Sequence, residues 1–214
     1  MTRELKLFAS VRSPYLVTLY DAGQEGSVFF YALEYFPMGS LGQPAEPVGR
    51  GAAIRALSHA ARAAHALHEA GVAHRDIRPG TVLLHPDGGK LSDLGLAQVL
   101  QPGITVTGMA GIGSVEYMDP GMLRGDRPSR ASDIWSLGVT LHRALSGEGV
   151  YGELPAGDPL LILRKVLTTT PTLSEKLSAA DKAIITACLD PDVARRPRTA
   201  ADVADALDQL AVAA

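Results

Sequence analysis

The sequence has little of what marks secreted, membrane-spanning or polyanion-binding chains. It carries one cysteine, Cys188, in 214 residues, so no internal disulfide can form and a cytosolic setting is the expected one. Cys188 lies in the apolar run Ile184, Ile185, Cys188, Leu189 and is expected to be a buried small hydrophobe. A formal net charge of -3 supplies no basic excess, so no nucleic-acid partner is expected. Charges alternate through Met1 to Leu7 and no long apolar run follows, which excludes a signal peptide or membrane span within these residues. There is no internal repeat. His59, His65, His68, His85 and His142 show no metal-ligand spacing with acids or cysteines and read as surface or core positions.

What is present is ordinary globular material. An apolar content of 46% with 20% charged residues excludes a disordered or collagen-like chain, and the length suits one substantial core. Leu16 to Tyr20 and Val28 to Phe36 are rich in β-branched and aromatic residues around Gln24-Glu25-Gly26, which predicts a β-hairpin. Before it, Leu7, Phe8 and Val11 recur at helical spacing. After a polar connector, Ile54, Leu57, Ala61, Ala64 and Leu67 form one apolar stripe, predicting a helix over about 52–70. Thr81 to Leu84 reads as a short strand that turns at Pro86-Asp87-Gly88-Gly89 into a second one ending near Ser92. From Ala131 onward the pattern is helical. Ser178 with Asp181 and Thr199 with Asp202 mark the starts of the last two helices.

The chemistry lies in His74-Arg75-Asp76-Ile77-Arg78-Pro79-Gly80-Thr81, between a helix end and a strand, and in Asp93-Leu94-Gly95 after the second hairpin. The first resembles the H-R-D-L-x-x-x-N catalytic loop of protein kinases and the second their D-F-G. Asp133-Ile134-Trp135-Ser136-Leu137-Gly138 and Arg196-Pro197 follow in the family's order, and the resemblance covers about residues 3 to 210. It implies an α+β protein-kinase-like fold. Residues 1–36 would be a reduced N-lobe remnant, a hairpin with one helix, and 37–214 a mainly helical C-lobe. It further implies ATP and Mg2+ as cofactors and a protein substrate or protein partner. Asp76 would accept the substrate hydroxyl proton, Arg78 would stand for the loop's cation, and Thr81 for its asparagine. Asp93, with Thr81, would hold magnesium. Leu33 would be the gatekeeper, and Glu34 to Phe36 the hinge whose backbone binds adenine. Phe8, Leu19, His74 and Leu94 match the stack linking the lobes, and Asp133 the helix aspartate that holds the catalytic loop. An isolated aspartate is more often a turn or cap residue; the paired motifs at family spacing outweigh that here.

The sequence departs from the pattern in three places. No G-x-G-x-x-G loop and no V-A-I-K lysine precede the hairpin; Glu4 falls at the family's helix glutamate, and its lysine partner is expected upstream of Met1. Losing one preorganised donor at a developing charge costs on the order of 10² to 10³ in rate, so poor catalysis is expected. Arg78 replaces lysine and Thr81 replaces asparagine, a shorter group with no separate amide donor and acceptor. Finally, Gly121 stands where Gly113-Ser114-Val115-Glu116-Tyr117-Met118-Asp119-Pro120-Gly121 should end in the glutamate that pairs with Arg196, which must find another acid or stay solvated. Thr105 and Thr107 lie on the activation-loop-like stretch, where Arg75 could meet a phosphate. Three readings follow: a serine/threonine kinase, a pseudokinase serving as a binding or scaffold module, and, more weakly, a small-molecule phosphotransferase. The apolar strand Val28 to Leu33 would leave an open edge, expected to be covered by upstream residues, a partner or self-association.

Overall fold

A computed structural model describes residues 11–25, 28–93, 115–155 and 158–212. The expected helix around Leu7 and Phe8, as well as Leu94, Gly95, Thr105, Thr107, Gly113 and Ser114, lie outside the described residues, Val11 and Arg12 apart.

The first hairpin pairs β1 (Leu19–Glu25) with β2 (Val28–Leu33) antiparallel, with Gly23 opposite Phe30 and an irregularity between Leu19 and Asp21. β1 starts later than its apolar pattern suggests and runs through Gln24 and Glu25, which pair with Phe29 and Val28. Polarity had marked those two as turn residues, but a ladder uses backbone groups, so a polar side chain does not end it. The Phe30 ring lies over Gly23, where a Cβ would come within 2.4 Å of it.

Residues 15–17 tie this hairpin to the rest of the molecule. The Leu91 amide donates to the Tyr15 carbonyl at 2.8 Å, and the Val17 amide to the Leu91 carbonyl at 3.0 Å. Leu91 ends the second hairpin, β3 (Val82–His85) with β4 (Gly88–Leu91). The polar connector also pairs there, with the Leu41 amide donating to the Val82 carbonyl and the Leu84 amide to Gly39.

α1 (Arg50–Glu69) forms where the apolar stripe predicted it, and Ile54, Leu57, Ala61, Ala64 and Leu67 are all buried. Its alanine filling favours helix and lets neighbours approach closely; each fully buried Ile or Leu contributes about 1.5 to 3 kcal/mol. A short helix follows, α2 (Pro120–Leu123), then the long α3 (Arg130–Ser146), which Ser129 caps reciprocally with Ser132. α4 (Pro159–Thr168), α5 (Ala179–Cys188) and α6 (Ala200–Val212) complete the order. The Ser178–Asp181 and Thr199–Asp202 caps form as read. α3 and α5 meet at Gly138, where a Cβ would lie 2.6 Å from that of Cys188, so only glycine lets the helices close. Cys188 is fully buried, and burial pushes its thiol up to about 12. α6 closes on α1 through Ser58 to Asp208 and Arg62 to Asp205 and Asp208.

Among the described residues no helix is long and apolar enough to cross a membrane. The whole is an α+β arrangement, two small hairpins against a helical body, with the candidate site where β4 meets the segment after α1.

Candidate functional site

The loop after α1 is held from below by one buried carboxylate. Asp133, in the first turn of α3 and 1% exposed, accepts from the His74 amide at 2.6 Å and the Arg75 amide at 2.9 Å. It also takes the His68 Nε2 hydrogen at 2.7 Å. A buried carboxylate without such donors would be strongly unfavourable; with them, the last turn of α1, the loop and α3 become one unit. The resemblance had assigned Asp133 this part. His68 was read only as a surface or core position, and its contribution spans 65 residues of sequence.

The loop backbone is bent to suit. Among the described residues, two that are not glycine have positive φ, Arg75 at 75° and Asp93 at 55°. Left-handed backbone is costly for such residues and persists where the surroundings enforce it, often at functional sites. Here it brings Asp76 and Asp93 within electrostatic reach of each other. Burial pushes the Asp76 carboxyl up from its ordinary value; Arg78 pulls it back in part, and the Asp93 charge pushes it further.

His74 links these two aspartates. It is 1% exposed, its Nε2 meets the Ser92 carbonyl at 2.8 Å, and the Asp76 amide points at its Nδ1 at 3.3 Å. A carbonyl only accepts and an amide only donates, so the ring is neutral with its hydrogen on Nε2. Burial holds its pKa below the ordinary histidine value. Of its expected stacking partners, Leu19 lies on β1 and is half-buried.

Arg78 and Thr81, the substituted positions, are both engaged. The Arg78 Nε donates to both Asp76 oxygens, at 3.2 and 3.1 Å, so the planar guanidinium covers the carboxylate edge. Thr81 is fully buried. Its hydroxyl accepts from the Arg78 amide at 3.1 Å and has the Asp76 and Arg78 carbonyls at 2.9 and 3.0 Å as acceptors for its hydrogen. A hydroxyl so occupied braces the loop. Asp93 accepts from the Ser92 hydroxyl at 3.1 Å, and the Ser92 amide donates to the Thr81 carbonyl at 2.9 Å, so strand end and loop are stitched together.

At the expected hinge, Leu33 closes β2, the Glu34 amide donates to the Thr18 carbonyl at 3.0 Å, and Phe36 is buried. The Glu34 side chain reaches Lys90 on β4, at 2.9 and 2.8 Å. Burial alone would raise its pKa; the Lys90 and Thr18 donors outweigh that and hold it below the ordinary value.

Arg196 does find an acid. It pairs with Asp119, and its Nη1 also donates to the Ala131 carbonyl at 2.9 Å, while its guanidinium lies 5.0 Å from the Trp135 ring centre. At Gly121, an added Cβ would come within 2.5 Å of an Asp126 oxygen. The charge partner has thus moved two positions along the chain. Glu116, also in this segment and 3% exposed, pairs with Arg143 at 2.9 Å.

Among the described residues no group of three or more His, Cys, Asp or Glu could hold a metal. Asp93 offers a single carboxylate here, and magnesium commonly takes one or two carboxylates and fills its sphere with phosphate oxygens and water.

Comparison with known proteins supplies the family. The family model "Protein kinase domain" matches residues 1–207. The chain is 29% identical over 224 residues to "Serine/threonine-protein kinase pkn2" of Myxococcus xanthus, covering 96% of this chain and 26% of that protein. It is 30% identical over 216 residues to the PknA kinase of Mycobacterium tuberculosis, covering 95% and 49%. To the PknB kinase of that species it is 28% identical over 212 residues, covering 94% and 34%. The chain spans less than half the length of each of these relatives. With the family model matched along nearly all of its length, this chain belongs to the protein kinase domain family, as a domain of the bacterial serine/threonine type.

Proposed function

We propose that the site performs, in weakened form, ATP- and Mg2+-dependent phosphoryl transfer to a protein hydroxyl. Asp76 accepts the hydroxyl proton once a substrate displaces Arg78 from its carboxylate. Arg78 then carries positive charge beside the transferring group. Asp93 would hold magnesium through its carboxylate, and the bound ion would offset the negative charge of the phosphates. Thr81 keeps the loop in shape and gives the second metal position less than asparagine would. Leu33, Glu34 and Phe36 border the adenine. The observation that carries this reading is the pair of left-handed residues, Arg75 beside Asp76 and Asp93 itself, at the two carboxylates of the site. Phosphoryl transfer depends on positioning and charge more than on covalent chemistry, and that is where strained backbone is worth maintaining. The division into a hairpin unit, residues 1–36, and a helical unit, 37–214, belongs to the same reading, as does a cytosolic setting for the buried Cys188.

A second reading, a pseudokinase that binds partners without transfer, draws support from two facts. Arg78 occupies both oxygens of Asp76, and the Thr81 hydroxyl is spent on backbone. The exposed Tyr20 and Phe30 on the first hairpin further suit a self-association edge. Titration with Mg·ATP while following thermal unfolding, paired with radiolabel transfer to a generic protein acceptor, separates the readings. Slow transfer abolished by Asp76→Asn supports the first. A thermal shift that Asp93→Asn removes, without any transfer, supports the second. Neither shift nor transfer would rule out a nucleotide site.

A further inference from the structure

β4 does more than return the chain from β3. Within three residues, Lys90, Leu91 and Ser92 contact the hinge, the segment leading into the first hairpin and the catalytic loop in turn. Leu91 exchanges backbone hydrogen bonds with Tyr15 and Val17. Ser92 receives His74 and donates to Thr81, and Asp93 follows directly. Lys90 is the member whose partner lies across the site: its Nζ sits 2.9 and 2.8 Å from the two oxygens of Glu34. Glu34 is held from the other side as well, by the Thr18 hydroxyl at 3.1 Å and the Thr18 amide at 3.3 Å. The side chains of Lys90 and Glu34 are 20% and 23% exposed, more shielded than the surface pairs whose contribution is negligible.

From this geometry we infer that Lys90 is a positioning residue. It latches the hinge at Glu34 to the strand that leads into Asp93, so the edge that borders adenine and the carboxylate that faces the phosphates keep a fixed separation. This rests on the nucleotide reading of the hinge for its consequence, and on the contacts alone for the latch. A lysine on β4 suits the part because its long stem reaches the carboxylate while the strand backbone stays paired.

Amide hydrogen exchange on the full chain tests the latch without any nucleotide. In Lys90→Met the amides of Thr18 and Glu34 should exchange on the order of 10-fold faster while those inside α1 and α3 keep their rates, as expected of local opening. Lys90→Arg should restore them, and Thr18→Val should reproduce a smaller part of the effect. A parallel titration with Mg·ATP should give a several-fold weaker Kd for Lys90→Met and near-normal binding for Lys90→Arg, with the rate at saturating nucleotide unchanged. Unchanged exchange at Thr18 and Glu34, or a uniform rise across α1 and α3, overturns the inference. Failure of the unaltered protein to bind Mg·ATP removes the nucleotide reading instead, and the exchange rates still decide the latch.

Discussion

The two ends of the candidate site are built differently. Beneath the catalytic loop, Asp133, His74 and Thr81 are buried and multiply hydrogen-bonded within a helical body, and the buried His68 adds its one bond to Asp133. At the hinge end, a two-stranded hairpin displays Tyr20 and Phe30, 68% and 50% exposed. It is tied down by backbone pairing at residues 15–17 and by the contacts of Glu34. A hairpin of that size is marginal alone, whereas a packed helical layer carries its own stability. The acids that would do the chemistry are thus anchored in the strong part, and the edge that would receive the nucleotide base hangs from the weak one.

The comparison breaks most readily at Asp133. Asp133→Ala leaves the His74 and Arg75 amides and His68 without their acceptor and should cost about 3 to 5 kcal/mol in urea unfolding. A loss below about 1 kcal/mol would mean that the loop is not held from beneath. Asp119→Ala should cost about 3 kcal/mol by stranding the buried Arg196. Adding Arg196→Met should recover most of that, because a buried charge without a partner is worse than an apolar group of similar length. Additive losses in the double-mutant cycle would refute the pairing.

Acid should weaken the helical body more than the hairpin. His142 takes the Ser174 amide on Nε2 at 2.9 Å and meets the Glu148 carbonyl through Nδ1 at 3.0 Å, so protonation must evict the amide. Burial depresses its pKa, and that of His74 likewise. With folded values below the unfolded one, the contribution is complete above about pH 6.5 and is lost as pH falls toward the folded values. Its limiting slope is about 1.4 kcal/mol per pH unit for each histidine. Unfolding free energies between pH 7.5 and 5 should fall accordingly, and the slope should flatten in His142→Gln. The smallest effect belongs to the hairpin. Tyr20→Ser with Phe30→Ser should change stability by no more than about 1 kcal/mol yet lower the apparent mass in light scattering. An unchanged mass would argue against the self-association edge.

Local signals served the sequence reading well. The stripe from Ile54 to Leu67, the hydroxyl and acid three apart at Ser178 and Thr199, and the spacing of Asp76 and Asp93 each need only a short window of sequence. What escaped it were pairings set by tertiary closure. His68 meets Asp133, Glu34 meets Lys90, and Arg196 meets Asp119 across 65, 56 and 77 residues, distances over which no periodicity speaks. The first hairpin was recognised while its strand ends were misplaced, because side-chain polarity is a poor guide to where backbone pairing stops.

The displaced acid opposite Arg196 carries a consequence for how such chains are detected. A guanidinium requires a negative charge at a point in space, and a carboxylate reaching that point from either side of Pro120 satisfies it equally. A search pattern that insists on glutamate after the proline would reject this chain for a missing letter while the bond that letter stands for remains intact. Tallies of lost motif residues therefore overstate how far a divergent domain has decayed unless each absence is first checked for a neighbour that has taken over its contact.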